Sequence, residues 1–164
     1  TILSGDVAER AALAAMLDGR RVTGVIHTAG VVDDGTIGSL TPERVATVMR
    51  PKSDAAWALH ELTQDLDFFV LFSSAAATMG APGQGNYAAG NAFLDALAAH
   101  RRARGLPAIS LAWGAWMASE GIGRNLNQGL LNRATDGGSG ELDREEGLLL
   151  LDLAFGARTL CSCR

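Results

Sequence analysis

Three short apolar runs limit what this chain can fold into more than any other feature. "VTGVIHTAG" (residues 22–30), "DFFVLFSS" (67–74) and "AISLAWGAW" (108–116) are nearly continuous in apolar and β-branched residues. They lack the strict polar alternation of a strand wetted on one face, so they read as buried strands of a parallel sheet covered by helices. The first two close in small or polar residues, as a strand running into a loop does.

The segments between them read as helices. "TILSGD" is expected to be the tail of an earlier strand, followed by an alanine-rich helix over about residues 7–18. In residues 39–64, Thr41 is placed to cap a helix with Pro42 in its first turn. Val45, Val48, Met49, Ala56, Leu59 and Leu62 form its apolar stripe. Pro51 should interrupt that helix just before Lys52. After "GAPGQG" comes a helix carrying Tyr87 and Asn91, ended by Gly105 with Pro107 beyond. "LDREEGLLLLDLAFG" gives a last helix with Asp143 as N-cap and Glu145 and Glu146 in its first turn. Residues 117–140, rich in glycine and asparagine, read as an excursion. The order of elements predicts an α/β, Rossmann-like doubly wound parallel sheet. No glycine-rich phosphate turn precedes residue 20, and "GQGNYAAG" follows its strand by more than ten residues. The first βαβ unit with the glycine-rich loop is therefore expected to be lacking.

Composition excludes several classes. A chain of 164 residues is one ordinary domain, and a net charge of −4 gives no basic footprint for nucleic acid. The longest apolar runs are too short for a bilayer, and no signal peptide opens the sequence. Cys161 and Cys163 are too close for an ordinary bridge and lack zinc-ligand partners, which suits a reducing, cytoplasmic setting. His27, His60 and His100 share no spacing, and no G-x-S-x-G elbow exists, so neither a metal centre nor a serine hydrolase is indicated.

Tyr87 is the only tyrosine and Lys52 the only lysine. Tyr87 and Asn91 lie one helical turn apart and share a face. Ser73, Ser74 and "HTAG" fall at carboxyl ends of strands, where α/β sheets gather working residues. A phenol beside an ammonium has its pKa lowered toward what protonation of a developing alkoxide needs. A serine hydroxyl on the same oxygen adds a hydrogen bond that strengthens as charge builds. That combination is a carbonyl-reducing site. Taken singly, a lone tyrosine is more often a core residue, a lone lysine a solvated charge, and a serine pair turn chemistry. The reading depends on all three converging.

The stretches "HTAGVVDDGTIGSLTPERVATVMRPKSDAAWALHELT", "FVLFSSAAATMGAPGQGNYAAGNAFLDALAAHRRARGLPAISLAWGAW" and "LDREEGLLLLDLA" resemble, in order and spacing, the ketoreductase domains of modular type I polyketide synthases, of the short-chain dehydrogenase/reductase type. The resemblance covers nearly the whole chain and implies a partial catalytic domain over residues 1–164. It implies Ser74 as the carbonyl-binding serine, Tyr87 as proton donor, Lys52 as the ammonium that lowers the tyrosine pKa and contacts the nicotinamide ribose, and Asn91 as the residue orienting the lysine or a relay water. It implies NADPH as cofactor, with Asp6 and Val7 on the adenine side, Ala29 and Gly30 at the strand end against the cofactor, and Gly114 lining the nicotinamide. It further implies an acyl carrier protein, bearing a phosphopantetheine-linked β-ketoacyl chain, and other synthase domains as partners.

Stereochemical markers of the family fall on Val32, Asp33 and Asp34, where B-type enzymes have Leu-Asp-Asp. They also fall on Met79, in place of the A-type tryptophan, and on Pro82 and Asn86. Ala89 stands where enzymes acting on epimerised substrates have proline, so the resemblance implies B1-type reduction. Residues 117–140 correspond to a lid, while the end, 157–164, departs from the family pattern. The alternatives are a truncated, non-catalytic fragment of a synthase and a free-standing short-chain dehydrogenase.

Overall fold

The computed structural model describes residues 1–116 and 141–161, with side chains to residue 156. The chain forms two compact units, Thr1–Trp113 and Gly114–Arg164. In the first, helix α1 (Arg10–Leu17) precedes strand β1 (Gly24–His27), and helices α2 (Pro42–Met49) and α3 (Ser53–Leu62) lead to strand β2 (Phe68–Ser74). A short helix α4 (Ala76–Met79) and the long α5 (Gly85–Ala103) then lead to strand β3 (Ile109–Trp113). The strands form one parallel sheet in the order β1-β2-β3, with Val25 opposite Phe69 and Val70 opposite Ile109.

The three apolar runs thus form the three strands, although the first is ordered as a strand only over Gly24–His27. Phe69 and Leu71 of β2 are fully buried, and they join Leu13, Leu59, Leu94 and Leu97 of the helices in one core. Arg101 of α5 is also fully buried. Its Nη1 donates to His60 Nδ1 (2.8 Å), its Nε to the Pro107 carbonyl (3.1 Å), and its guanidinium lies 4.0 Å over the Phe69 ring. Since arginine only donates, His60 keeps Nδ1 free of a proton.

Local signals behave as expected at several ends. The Thr41 hydroxyl accepts from the Arg44 N–H, capping α2 ahead of Pro42. The helix breaks at residues 50–52, around Pro51. Gly105, at φ +72°, closes α5 in a left-handed turn: its N–H bonds the Arg102 carbonyl and the Leu106 N–H bonds the Arg101 carbonyl.

Two expectations fail. Residues 1–6 form no strand; Ile2 is 99% exposed and no neighbouring strand is present among the described residues to pair with. The first helix begins at Arg10 rather than residue 7, because Asp6 accepts from the Ala8 N–H (2.9 Å) and folds that segment into a turn.

In the second unit, α6 (Arg144–Cys161) opens with a reciprocal cap: the Glu146 N–H donates to Asp143 Oδ1 (2.8 Å), and the Asp143 N–H to Glu146 Oε2 (3.2 Å). Trp116 bridges to Leu142, and its ring lies where a Cβ on Gly147 would sit. The excursion and lid expected over 117–140 lie outside the described residues. Among those described, no helix is long and apolar enough to cross a membrane.

Candidate active site

The break between α2 and α3 presents Lys52 to the middle of the sheet. The Lys52 N–H bonds the Met49 carbonyl (2.9 Å), and His27, at the carboxyl end of β1, donates from Nε2 to the Pro51 carbonyl (2.9 Å). A carbonyl only accepts, so the buried ring carries its proton on Nε2. Burial first, then the Lys52 charge, hold His27 down to about 4, partly offset by that bond. Lys52 is 2% exposed, and its ammonium donates to the Phe72 carbonyl of β2 (2.9 Å). Burial lowers its pKa from 10.5 to about 8.

The Lys52 nitrogen stands over the face of the Tyr87 ring, 5.7 Å from its centre. The expected lowering of the phenol does not occur: burial raises the Tyr87 pKa, the Asn91 and Ser74 side chains pull it down, and the Asp34 charge raises it further. The reason is geometric. The ammonium faces the ring and spends a proton on a backbone carbonyl, while burial acts on the phenol directly. Ser74 is the last residue of β2, and its hydroxyl also accepts from the Ala76 N–H (3.2 Å). Asn91 is fully buried; its amide nitrogen donates to the Tyr87 carbonyl (2.8 Å), and its oxygen has no donor among the described residues. Ser73 braces the same turn by donating to the Asn91 carbonyl (3.2 Å).

Beside the phenol runs the loop after β1. Asn86, 2% exposed, donates to the Asp33 carbonyl (2.9 Å) and accepts from the Tyr87 N–H (2.9 Å). Gln84 donates to the Asp34 carboxylate (3.1 Å), and the Gly35 N–H donates to the Gly83 carbonyl (2.8 Å). Arg44 grips Asp33 with Nε and Nη2 (2.9 and 2.5 Å) and also donates to the carbonyls of Asp34 and Ser39 (2.8 Å each). The loop passes so close that a Cβ on Gly35 would sit 2.6 Å from the Ser39 hydroxyl and 3.0 Å from Arg44 Nη1.

The remaining predicted residues spread out. Asp6 is ion-paired with Arg50 (3.1 Å), two residues before Lys52, and Val7 packs against the core. Ala29 and Gly30 are partly buried in the loop after β1. Met79, 71% exposed, ends α4, and Pro82 is exposed in the next loop. Gly114 opens the second unit, directly after β3. As a seat for a dinucleotide, the set fits at one end: two of the three Lys52 donors are not engaged by the described residues, and Ala29 and Gly30 bring no bulk to the end of β1.

Sequence reasoning passed over His27, Arg44, Gln84 and Gly90. At Gly90 a Cβ would come within 3.3 Å of Lys52 Cβ, so this glycine lets α5 approach the lysine. A cavity of about 330 Å³ lies at the opposite edge of the sheet, between Leu17, Arg21, Leu62 and Asp65, and holds none of the predicted residues.

Comparison with known proteins places the chain in a family. The family model described as KR domain matches residues 1–118. The NorB protein of the spectinabilin polyketide synthase system of Streptomyces orinoci is 55% identical over 93% of this chain, and polyketide synthase GfsB of Streptomyces halstedii is 57% identical over 92%. The chain spans only 7% and 3% of those two proteins. Among solved structures, the first ketoreductase of the tylosin polyketide synthase superposes with a TM-score of 0.80 at 46% identity, over 90% of this chain and 32% of that one. An A1-type ketoreductase gives 0.82 at 45% identity, over 93% and 33%. With its partial Rossmann-like sheet and the gathered Lys52, Ser74, Tyr87 and Asn91, the chain belongs to the KR-domain family, the ketoreductase domains of polyketide synthases.

Proposed function

We propose that these residues are the catalytic portion of a ketoreductase that reduces the β-ketone of an acyl chain, held as a phosphopantetheine thioester on an acyl carrier protein, to a β-hydroxyacyl thioester. The observation that carries the reading is the meeting of Lys52, Ser74, Tyr87 and Asn91, the only tyrosine and only lysine among them, at one end of the sheet. The cofactor is NADPH, which when bound supplies a hydride to the carbonyl carbon. The choice of NADPH over NADH rests on the family alone. Lys52, Ala29 and Gly30 would hold its nicotinamide ribose end, Asp6 and Val7 its adenine side, and Gly114 would line the nicotinamide.

The protein's own share is the proton. Burial keeps the Tyr87 phenol protonated at neutral pH, which is the form a donor needs. An alkoxide is far more basic than a phenolate, so transfer from the phenolic oxygen to the substrate oxygen runs downhill even with a raised pKa. The Ser74 hydroxyl donates to that same oxygen as its charge grows. Lys52, with a pKa of about 8, is mostly charged at pH 7; its charge would favour the phenolate left behind, an effect smaller than the burial that keeps the phenol's pKa raised. Asn91 ties its turn of α5 together and offers an acceptor for a donor in the relay that returns the proton.

The markers Asp33, Asp34, Met79, Pro82 and Asn86, with Ala89, support B1-type stereochemistry, while Val32 departs from the leucine of the B-type pattern. The setting is a cytoplasmic synthase with other catalytic domains in the same assembly. In the complete ketoreductase, Tyr87→Phe and Lys52→Ala should each lower turnover of a simple β-ketoacyl thioester by roughly 10²- to 10⁴-fold with an unchanged circular dichroism spectrum. Full activity of Tyr87→Phe would end the proposal.

A second reading, that the 164 residues alone are a structural piece without activity, is favoured by their covering about a third of the solved ketoreductases. Fluorescence titration with NADPH separates the two: binding by a longer polypeptide but not by this chain would support the second.

A further inference from the structure

The two neighbouring aspartates of the loop after β1 are held in different ways. Both oxygens of Asp33 are taken by the fork of Arg44, at 2.9 and 2.5 Å, and this pairing holds the Asp33 carboxyl below its ordinary range. Its charge is already spent within the protein. Asp34 is held through its backbone carbonyl by the same guanidinium, while among the described residues its carboxylate accepts from the Gln84 amide, and its charge is the smallest of the four influences on the Tyr87 phenol.

Arg44 stands in the first turn of α2, whose start is fixed by the Thr41 cap and Pro42. Asn86 and Gly83, from the approach to and first turn of α5, grip the other side of the loop. The loop is thus strung between the start of α2 and the start of the helix that carries the proton donor. The fork's side chains are 31% and 35% exposed, so water screens part of its contribution to folding stability. What a bidentate fork also supplies is geometry.

Resting on the ketoreductase reading above, we infer that Arg44 is a specificity-determining residue. It acts through Asp33 as a strut that fixes the height of the loop over Tyr87, so that Asp34 alone faces the bound acyl chain and the substrate presents one face of its ketone. Arg44 touches neither substrate nor cofactor; it is a positioning residue.

The test uses the complete ketoreductase and a racemic 2-methyl-3-oxoacyl thioester, with the product diastereomers separated by chiral chromatography. Arg44→Gln and Asp33→Asn should each lower the ratio of major to minor product by about tenfold, the scale of one charge-assisted hydrogen bond. The double variant should fall no further, because the two act as one unit. Arg44→Lys keeps the charge but not the fork and should fall with them; full rescue by lysine would overturn the strut.

An unchanged ratio in Arg44→Gln, additive losses in the double variant, or abolished turnover in a folded Arg44→Gln protein would each overturn the inference. If Arg44→Gln fails to fold, Asp33→Asn and Arg44→Lys decide. Turnover by the unaltered enzyme tests the reductase reading separately, since the ratio is read only among variants that still reduce the ketone.

Discussion

Lys52 combines deep burial with a proton it must keep. Because burial penalises the ammonium, the neutral amine takes over above pH 8 or so, more than two pH units earlier than in an exposed lysine. Turnover should therefore decline with a single-proton slope above about pH 8, and a flat profile to pH 10 would show that the lysine charge is not needed. The Tyr87 phenol, raised above its ordinary value, titrates beyond that limb. His27 has the opposite consequence for folding. Its protonated form is disfavoured in the native state, with a pKa of about 4 against 6.5, so the unfolded chain binds more protons as pH falls through that window. Stability should drop between pH 6.5 and about 4, by roughly 3 kcal/mol at full effect. In urea titrations of the complete ketoreductase, His27→Gln should show a shallower decline across the same range. An equally steep one would assign the loss to other groups, His60 first.

At the scale of elements, what was legible were segments whose neighbours in sequence suffice to define them. The apolar runs at 67–74 and 108–116, the Thr41–Pro42 start, the break at Pro51 and the stop at Gly105 all depend on local chemistry. The strand expected in "TILSGD" was not of that kind, because a strand requires a partner that no local pattern supplies. The short α4 has no periodic stripe to announce it. Arg44 reads in sequence as one more charge in a helix's first turn, and only the fold brings Asp33 to it, eleven residues away.

Gly90 was equally silent. It sits in the middle of α5, where alanine would be worth about 1 kcal/mol of helix propensity, but a methyl group there would press on Lys52 at 3.3 Å. Gly90→Ala should leave the melting temperature nearly unchanged or slightly higher while reducing kcat several-fold. Unimpaired kcat would show that the lysine has room to shift.

At the scale of the whole molecule, the site lies in the unit Thr1–Trp113, and its pieces come from the break between α2 and α3, from β2 and from α5. The family was readable from the sequence pattern, while the division between Asp33 and Asp34 was not, because identical side chains side by side differ only in what the fold sets against them. The sheet itself has one further property. Strand β1 pairs with β2 alone among the described residues, and Ile26 on it is 48% exposed, in a kind of sheet that normally has both faces covered.

A row of backbone donors and acceptors facing water is a docking template for any similar strand. Produced on its own, the 164-residue chain should form soluble aggregates at micromolar concentration by light scattering. Ile26→Lys should suppress them, and a monodisperse monomer of the unaltered chain would refute this. For anyone who wants to handle these residues in isolation, colloidal behaviour is then the first obstacle, met before any question of catalysis can be put to them.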